Sequence, residues 1–242
     1  MIYSSRIVYI FVFFLFFFFS SKSQNLIEGY TTYSVSFDYN DKNEDIDIKD
    51  LFRKTIEKLD ELSYRLIFKK NLSYYSIEKQ LIKDFENDIY MKSAIKIAGD
   101  AEIYTDINSD LNLLKKEFLG DRFLISDTTK QYWTVLKETK TIKGFKCFKA
   151  TLKIENDLNP KGLKVTAWFT HQIPITFGPK GYHGLPGLIL ELSENNLKFK
   201  INNISIEKVK EPIKEPTSGI SISYNDYIEY VNNKINEFNY KN

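Results

Sequence analysis

The sequence predicts a mainly β protein of the α+β class: a curved antiparallel meander sheet, or an open barrel or half-barrel, with one or two covering helices, one of them C-terminal. Three observations lead there. Apolar residues recur with a period of two along most of the chain, which places one strand face in a core and the other toward water. Turn-forming residues interrupt that alternation at short intervals, as successive hairpins require. Leu51–Leu62 and Tyr224–Phe238 instead carry apolar residues at helical spacing.

Taken in order, Tyr30–Phe37 alternates and opens the sheet. Leu51, Phe52, Ile56, Leu59 and Leu62 mark an amphipathic helix or an irregular insertion. Ser63–Phe68 and Leu72–Ile77 flank Lys69-Lys70-Asn71 and read as a hairpin. From Glu78 to Met91 the signals conflict, because Leu81, Phe85 and Ile89 fall four apart between extended-looking flanks; the segment reads as a loop with some helix. Phe118 and Phe123-Leu124-Ile125 lie either side of Gly120-Asp121, and Gln131–Glu138 and Phe145–Ile154 lie either side of Lys143-Gly144, which makes a meander. Asn156–Gly162, holding Asp157, Asn159, Pro160 and Gly162, is a turn by composition, and Leu163–Thr170 resumes the alternation. Leu188–Leu192 and Leu197–Ile206 form a last hairpin across Asn195-Asn196. Pro212 and Pro216 frame a charged linker. Beyond it Ser223 is placed to cap a helix from Tyr224 to about Phe238, with Tyr227, Ile228, Val231, Ile235 and Phe238 on one face.

The N-terminus has the three zones of a secretory signal peptide. Arg6 supplies the charge, Ile7–Phe19 is continuously apolar or aromatic, and Ser21-Lys22-Ser23 offers small residues for cleavage before Gln24. The apolar run is short of the roughly 20 residues that span a bilayer as a helix. No cysteine stands at the cleavage point to carry a lipid. The stretch also fits an uncleaved interfacial helix, which would tether the protein. The expected division is therefore a cleavable signal peptide over 1–23, a β-rich domain over 24–211, and a linker with a C-terminal amphipathic helix over 212–242, with a product that is not an integral membrane protein.

Removing residues 1–23 takes Arg6 and Lys22 from the 34 basic residues and leaves 32 to balance 32 acidic ones. A neutral chain without a basic block gives no electrostatic reason to bind nucleic acid. Cys147 is the single cysteine, so no intramolecular disulfide forms. Its place in an alternating strand favours a buried thiol over a reactive one.

Ile173–Leu188 departs from the rest of the chain. Gly178, Gly181, Gly184 and Gly187 recur every third residue with Pro174, Pro179 and Pro186 among them. The run is too short for a collagen-like array. Glycine permits positive φ and close backbone approach, and proline fixes φ, so the segment is a bent, stiff connector. It serves either to cross and plug the sheet or as a binding lip.

Lys143-Gly144-Phe145-Lys146-Cys147-Phe148-Lys149-Ala150, Ala167-Trp168-Phe169-Thr170, Ile173-Pro174-Ile175, Gly178-Pro179 and Gly184-Leu185-Pro186-Gly187-Leu188-Ile189 follow one another in the order and spacing of a known signature. On these residues the chain resembles the GLPGLI family, secreted proteins found chiefly in Bacteroidetes. Gly29-Tyr30, Gly120 and Trp133 extend the likeness in outline, and its sharp part runs from Trp133 to Glu207. The resemblance implies export to the cell envelope, in the periplasm or outside the cell, and brings no catalytic residue or cofactor with it.

The residues themselves assemble no catalytic constellation. His171 and His183 are the only histidines; they flank the loop and form a metal site only if the fold brings them to Glu191 or Cys147, because no short ligand pair is present. No phosphate cradle is present, since the glycine repeat lacks the Lys-Ser/Thr that follows one. The expectation is a non-enzymatic binding or carrier module for an apolar ligand or an envelope partner. Trp133, Trp168, Phe169, Phe177 and Tyr182 supply aromatic lining, and Trp168, Pro174, Gly178, Pro179, Tyr182, His183, Gly184, Leu185, Pro186, Gly187, Leu188 and Ile189 form the candidate binding loop. The alternatives are an accessory protein of an outer-membrane receptor or transport system and, behind these, a metal-dependent hydrolase. A core filled by side chains would leave the carrier no room.

Overall fold

The computed structural model describes residues 27–38, 46–78, 88–156, 159–210 and 212–239. The signal segment, Leu81 and Phe85 of the ambiguous stretch, and Asp157 of the composition-based turn lie outside the described residues.

The fold is mostly β, a single open antiparallel sheet with helices on it. Its strands are β1 (Glu28–Phe37), β2 (Ser63–Lys69), β3 (Leu72–Ile77), β4 (Glu102–Asp106), β5 (Leu111–Phe118) and β6 (Asp121–Asp127), then β7 (Thr134–Ile142), β8 (Phe145–Asn156), β9 (Asn159–Thr170), β10 (Leu188–Glu194), β11 (Leu197–Ile206) and β12 (Ile220–Ser223). Across the sheet they run β12-β6-β5-β4-β3-β2-β1-β11-β10-β9-β8-β7. Two hairpin-built halves, β1 to β6 and β7 to β11, are joined where β1 pairs with β11, so the first strand sits in the middle of the sheet. Every neighbouring pair is antiparallel except β12, which runs parallel to β6.

Alternation decides which face is inner. Thr31, Tyr33 and Val35 of β1, Tyr64, Leu66 and Phe68 of β2, and Val165, Ala167 and Phe169 of β9 are all buried, and the residues between them are more exposed. Helix α1 (Ile46–Leu59) lies on this face, with Phe52 edge-on to Phe37 at 5.7 Å and with Thr55 and Leu59 buried. Helix α2 (Ile89–Ala98) packs beside it through Met91, Ala94 and Ala98. Helix α3 (Tyr224–Asn239) sets Tyr227 and Ile228 against Phe123 and Ile125 of β6. Ser223 caps α3 as the sequence predicts: its hydroxyl accepts the Asp226 N–H at 3.2 Å and donates to the Asp226 carboxylate at 2.6 Å.

The charged linker is a strap across the outer face. The carbonyl of Val209 accepts from Lys69 at 3.5 Å, and Ile213 packs with Tyr104, Leu113 and Leu124 on the side of the sheet away from the helices. The strap carries the chain from β11 to the far edge, where β12 adds beside β6.

The structure differs from the sequence-based reading in several elements. A helix forms at 89–98, overlapping the end of the ambiguous stretch and running beyond it, because the Asp88 carboxylate accepts the N–H groups of Tyr90 and Met91 at 2.9 and 3.1 Å and so fixes its start. Strands β4 and β12 were not anticipated: β4 is five residues without alternation, and the four residues of β12 alternate over only two periods. Residues 159–162 belong to β9 and not to a turn, and 131–133 precede β7, with the Gln131 and Trp133 side chains bonded to the loop.

Candidate functional site: the glycine and proline loop

The segment between β9 and β10 folds back on itself. Phe177 and His183 form an isolated antiparallel bridge around a single 3-10 turn, Pro179–Gly181. The N–H groups of Gly184, Leu188 and Ile189 donate to the carbonyls of Thr176, Ile173 and Phe177 at 3.0 to 3.1 Å. With its own backbone groups paired, the loop can enter an apolar interior without the cost of unsatisfied donors.

It enters the inner face. Ile173, Ile175, Phe177, Tyr182 and Leu185 are buried, Phe177 and Leu185 to 1% exposure. The loop leaves the β9–β10 side of the sheet and its tip rests against β3 and β4. Two glycines show why larger residues do not fit. A Cβ on Gly178 would come within 2.6 Å of the Ile189 side chain, and one on Gly187 would stand 2.0 Å from the Thr170 carbonyl oxygen, with φ at +157° as well.

Polar anchors hold the tip. The Gly181 carbonyl accepts from the side-chain amides of Asn112 at 3.3 Å and Gln131 at 3.1 Å, and Thr105 orients Asn112 by donating to its carbonyl at 2.7 Å. The Gln131 oxygen accepts the His183 N–H at 2.9 Å, and the Trp133 indole donates to the His183 carbonyl at 2.8 Å. Gln131 thus pairs with the loop as a neighbouring strand would. Lys180, in a left-handed conformation at φ 58°, places its ammonium 2.6 Å from Glu194 and 5.6 Å from the centre of the Phe199 ring. Burial, with Glu194 nearby, holds the Tyr182 hydroxyl protonated well beyond its ordinary range.

The candidate metal residues have separate surroundings. His171 is exposed; its ring rests 5.0 Å from both Phe148 and Phe169, and Nδ1 donates to the Pro186 carbonyl at 2.8 Å. His183 is buried, and desolvation pushes its imidazole below the usual histidine range against the opposing pull of Asp110 and Asp127. Cys147 is fully buried, its thiol pushed up by burial, and it donates to the Phe145 carbonyl at 3.4 Å. Glu191 is buried on the outer face, where it pairs with Lys140 at 2.8 Å; the Lys140 ammonium stands 4.3 Å from the Trp168 ring centre. Among the described residues no group of three or more His, Cys, Asp or Glu is placed to hold a metal ion.

Of the candidate loop, Pro174, Gly184 and Pro186 face outward, while Gly178, Pro179, Tyr182, His183, Leu185, Gly187, Leu188 and Ile189 are buried. Trp168 lies on the opposite face of the sheet, partly covered by Lys140. Asn112, Gln131, Lys180 and Glu194 were missed as anchors. Gln131 carried a faint signal, a polar residue opening a strand pattern two places before a Trp, whereas nothing in the sequence connects Asn112 to a loop almost seventy residues away.

A family model described as "Protein of unknown function (Porph_ging)" matches residues 153–191, from β8 through the loop into β10, which includes the Gly184–Ile189 hexapeptide. That family is associated with Bacteroidetes. Comparison with curated proteins gives no match. Two solved structures of PNGF-II, in different crystal forms, share the fold over 84% of this chain at TM-scores of 0.52 and 0.53, with 15% and 14% identity. The chain covers 32% of each PNGF-II chain and so spans about a third of its length. Likeness at that identity concerns the fold alone. No described helix is long and apolar enough to cross a membrane.

Proposed function

We propose that this chain is an exported, non-enzymatic binding module of the cell envelope, periplasmic or external, that takes an extended segment of a protein partner along β7 beside the loop. One observation carries the reading: the loop's apolar side chains occupy the inner face, where a carried ligand would need to lie, and its exposed residues come out beside an open sheet edge. Tyr132, 77% exposed, stands between Gln131 and Trp133, both hydrogen-bonded to the loop. Val135, 51% exposed, is the second residue of β7, the last strand of the sheet. An edge strand leaves a row of backbone donors and acceptors for another chain, and exposed apolar groups beside it give such a chain somewhere to anchor. A partner within an outer-membrane receptor or transport system is one case of this reading.

A photo-crosslinking residue in place of Tyr132, in cells that make the protein, tests this. The expected result is one discrete crosslinked envelope protein, lost when Val135 is replaced by Lys, together with a mature N-terminus at Gln24. Lipid retained in native mass spectra, with no crosslink, would overturn it in favour of a carrier.

A further inference from the structure

The edge strand β7 and the start of β8 carry lysine at every third position, Lys137, Lys140, Lys143, Lys146 and Lys149, against a single acidic residue, Glu138. Two of the five are neutralised: Lys140 pairs with Glu191 at 2.8 Å and Lys149 with Glu138 at 2.9 Å. Lys137, Lys143 and Lys146 are exposed and have no acidic partner among the described residues. Their places follow from the hairpin. Lys137 lies where the register with β8 shifts, between Val135 and Thr139. Lys143 and Gly144, at φ of 49° and 82°, form the two-residue turn, and Lys146 stands opposite Thr141. The regular part of the open edge, Thr139–Ile142, therefore has uncompensated positive charge at both ends.

Four residues of edge offer an added strand only a few backbone hydrogen bonds, each worth about 1 kcal/mol net. Ordering a free segment consumes most of that, so a partner must bring further contacts. The groups at hand are the three ammonium groups and the exposed Tyr132 and Val135. Lysines on an edge often serve only to keep other chains away. Here the opposite edge strand, β12, has no charged residue, so charge is not this sheet's general guard. The lysines of β7 repel another basic edge, the β7 of a second copy included, and attract an acidic one. Repulsion and attraction together select the partner.

We propose that the segment taken by β7 is acidic. It is an extended stretch of about six residues, which at about 3.3 Å each reaches from Lys137 to Lys143. Carboxylates at one end meet Lys137 and at the other Lys143 with Lys146, and an apolar side chain beyond Lys137 rests on Val135 and Tyr132. This rests on docking at β7 and adds to it the chemistry of the partner.

The test titrates the purified protein with two synthetic decapeptides, one of alternating Glu and Val, the other with Gln for every Glu. Calorimetry gives the affinities, and amide exchange over 134–142 followed by mass spectrometry gives the place. The acidic peptide is expected to bind, to slow exchange at 139–142 and to weaken as salt screens the charges. The Gln peptide should bind at least about tenfold more weakly. Lys137→Gln with Lys143→Gln and Lys146→Gln should remove the difference between the peptides with the circular dichroism spectrum unchanged, and Lys92→Gln, on the exposed side of α2, should preserve it. Equal affinity for the two peptides, no binding of the acidic one, or binding without protection at 139–142 would overturn the proposal. Equal affinity with protection would remove the acidity and leave docking at β7 standing, whereas a missing crosslink at Tyr132 in cells would remove the docking itself.

Discussion

The ammonium of Lys180 stands 2.6 Å from the Glu194 carboxylate, and this ion pair ties the tip of the loop to the end of β10. Both side chains are largely buried, at 21% and 15% exposure, so either group left alone loses its partner in a place water reaches poorly. Glu194→Gln is expected to cost about 2 kcal/mol, below the range for a fully buried pair, read as a lower urea midpoint. At position 180 the backbone is left-handed. Lys180→Gly should therefore be less destabilising than Lys180→Ala by about 1 kcal/mol, although both lose the ion pair.

The two glycines of the hexapeptide should respond differently to alanine. A Cβ at Gly184 meets nothing within 4 Å, and φ of +89° is its only obstacle, so Gly184→Ala should cost about 1 kcal/mol. At Gly187 the new atom would collide with the Thr170 backbone, and a loss of at least about 3 kcal/mol is expected. Chemical denaturation of the two variants side by side checks this. Equal losses would mean that the loop does not enter the sheet as described.

Gln131 bridges Gly181 and His183, so Gln131→Ala leaves the His183 N–H without its partner and the Gly181 carbonyl with Asn112 alone. A loss of about 2 kcal/mol is expected. Faster amide exchange confined to 177–184, followed by mass spectrometry, would distinguish local release of the loop from global weakening.

Because burial lowers the His183 pKa in the folded state, the unfolded chain binds the proton more readily. The contribution is fully present above the unfolded value of about 6.5 and is lost as pH falls through the lower folded value. Wild type should lose stability between neutral and mildly acidic pH, and His183→Asn should flatten that part of the profile. The lowered carboxyls of Glu28, Asp50 and Asp88 act at more acidic pH, below the ordinary carboxylate range, so the two contributions separate along the pH axis.

Cys147 should react slowly with a thiol reagent in the folded protein, because its sulfur is buried and its pKa raised, both of which suppress the thiolate. Reaction on mixing would contradict the packing of β8.

What the sequence made legible follows from the range of each interaction. Period-two alternation is a local signal, and it located β1, the β2–β3 hairpin and β8 to β11 close to their observed bounds. Ser223 revealed α3 because capping is also local. Asp88 and Gly99 bracket α2 with equally local signals, while the Leu81 and Phe85 positions of the ambiguous stretch lie outside the described residues. The plugging of the inner face by the loop was one of two readings that composition allowed, and composition does not separate them. The anchors Asn112, Gln131 and Glu194 meet the loop only through pairings distant in sequence, and no single-sequence pattern encodes these.

The central position of β1 constrains when this molecule can form. Its partner β11 is made about 170 residues later, so a nascent chain carrying β1 to β6 holds that strand as an uncovered edge until the last third emerges. Contacts of such separation slow folding, and an open edge invites pairing with the wrong neighbour in the meantime. Consolidation of the sheet is thus a late event in biogenesis, and a chain cut short at the β10–β11 turn would expose Tyr33 and Val35 to association between molecules. Any cell that makes this protein in quantity has reason to keep the incomplete chain chaperoned until its final strands are available.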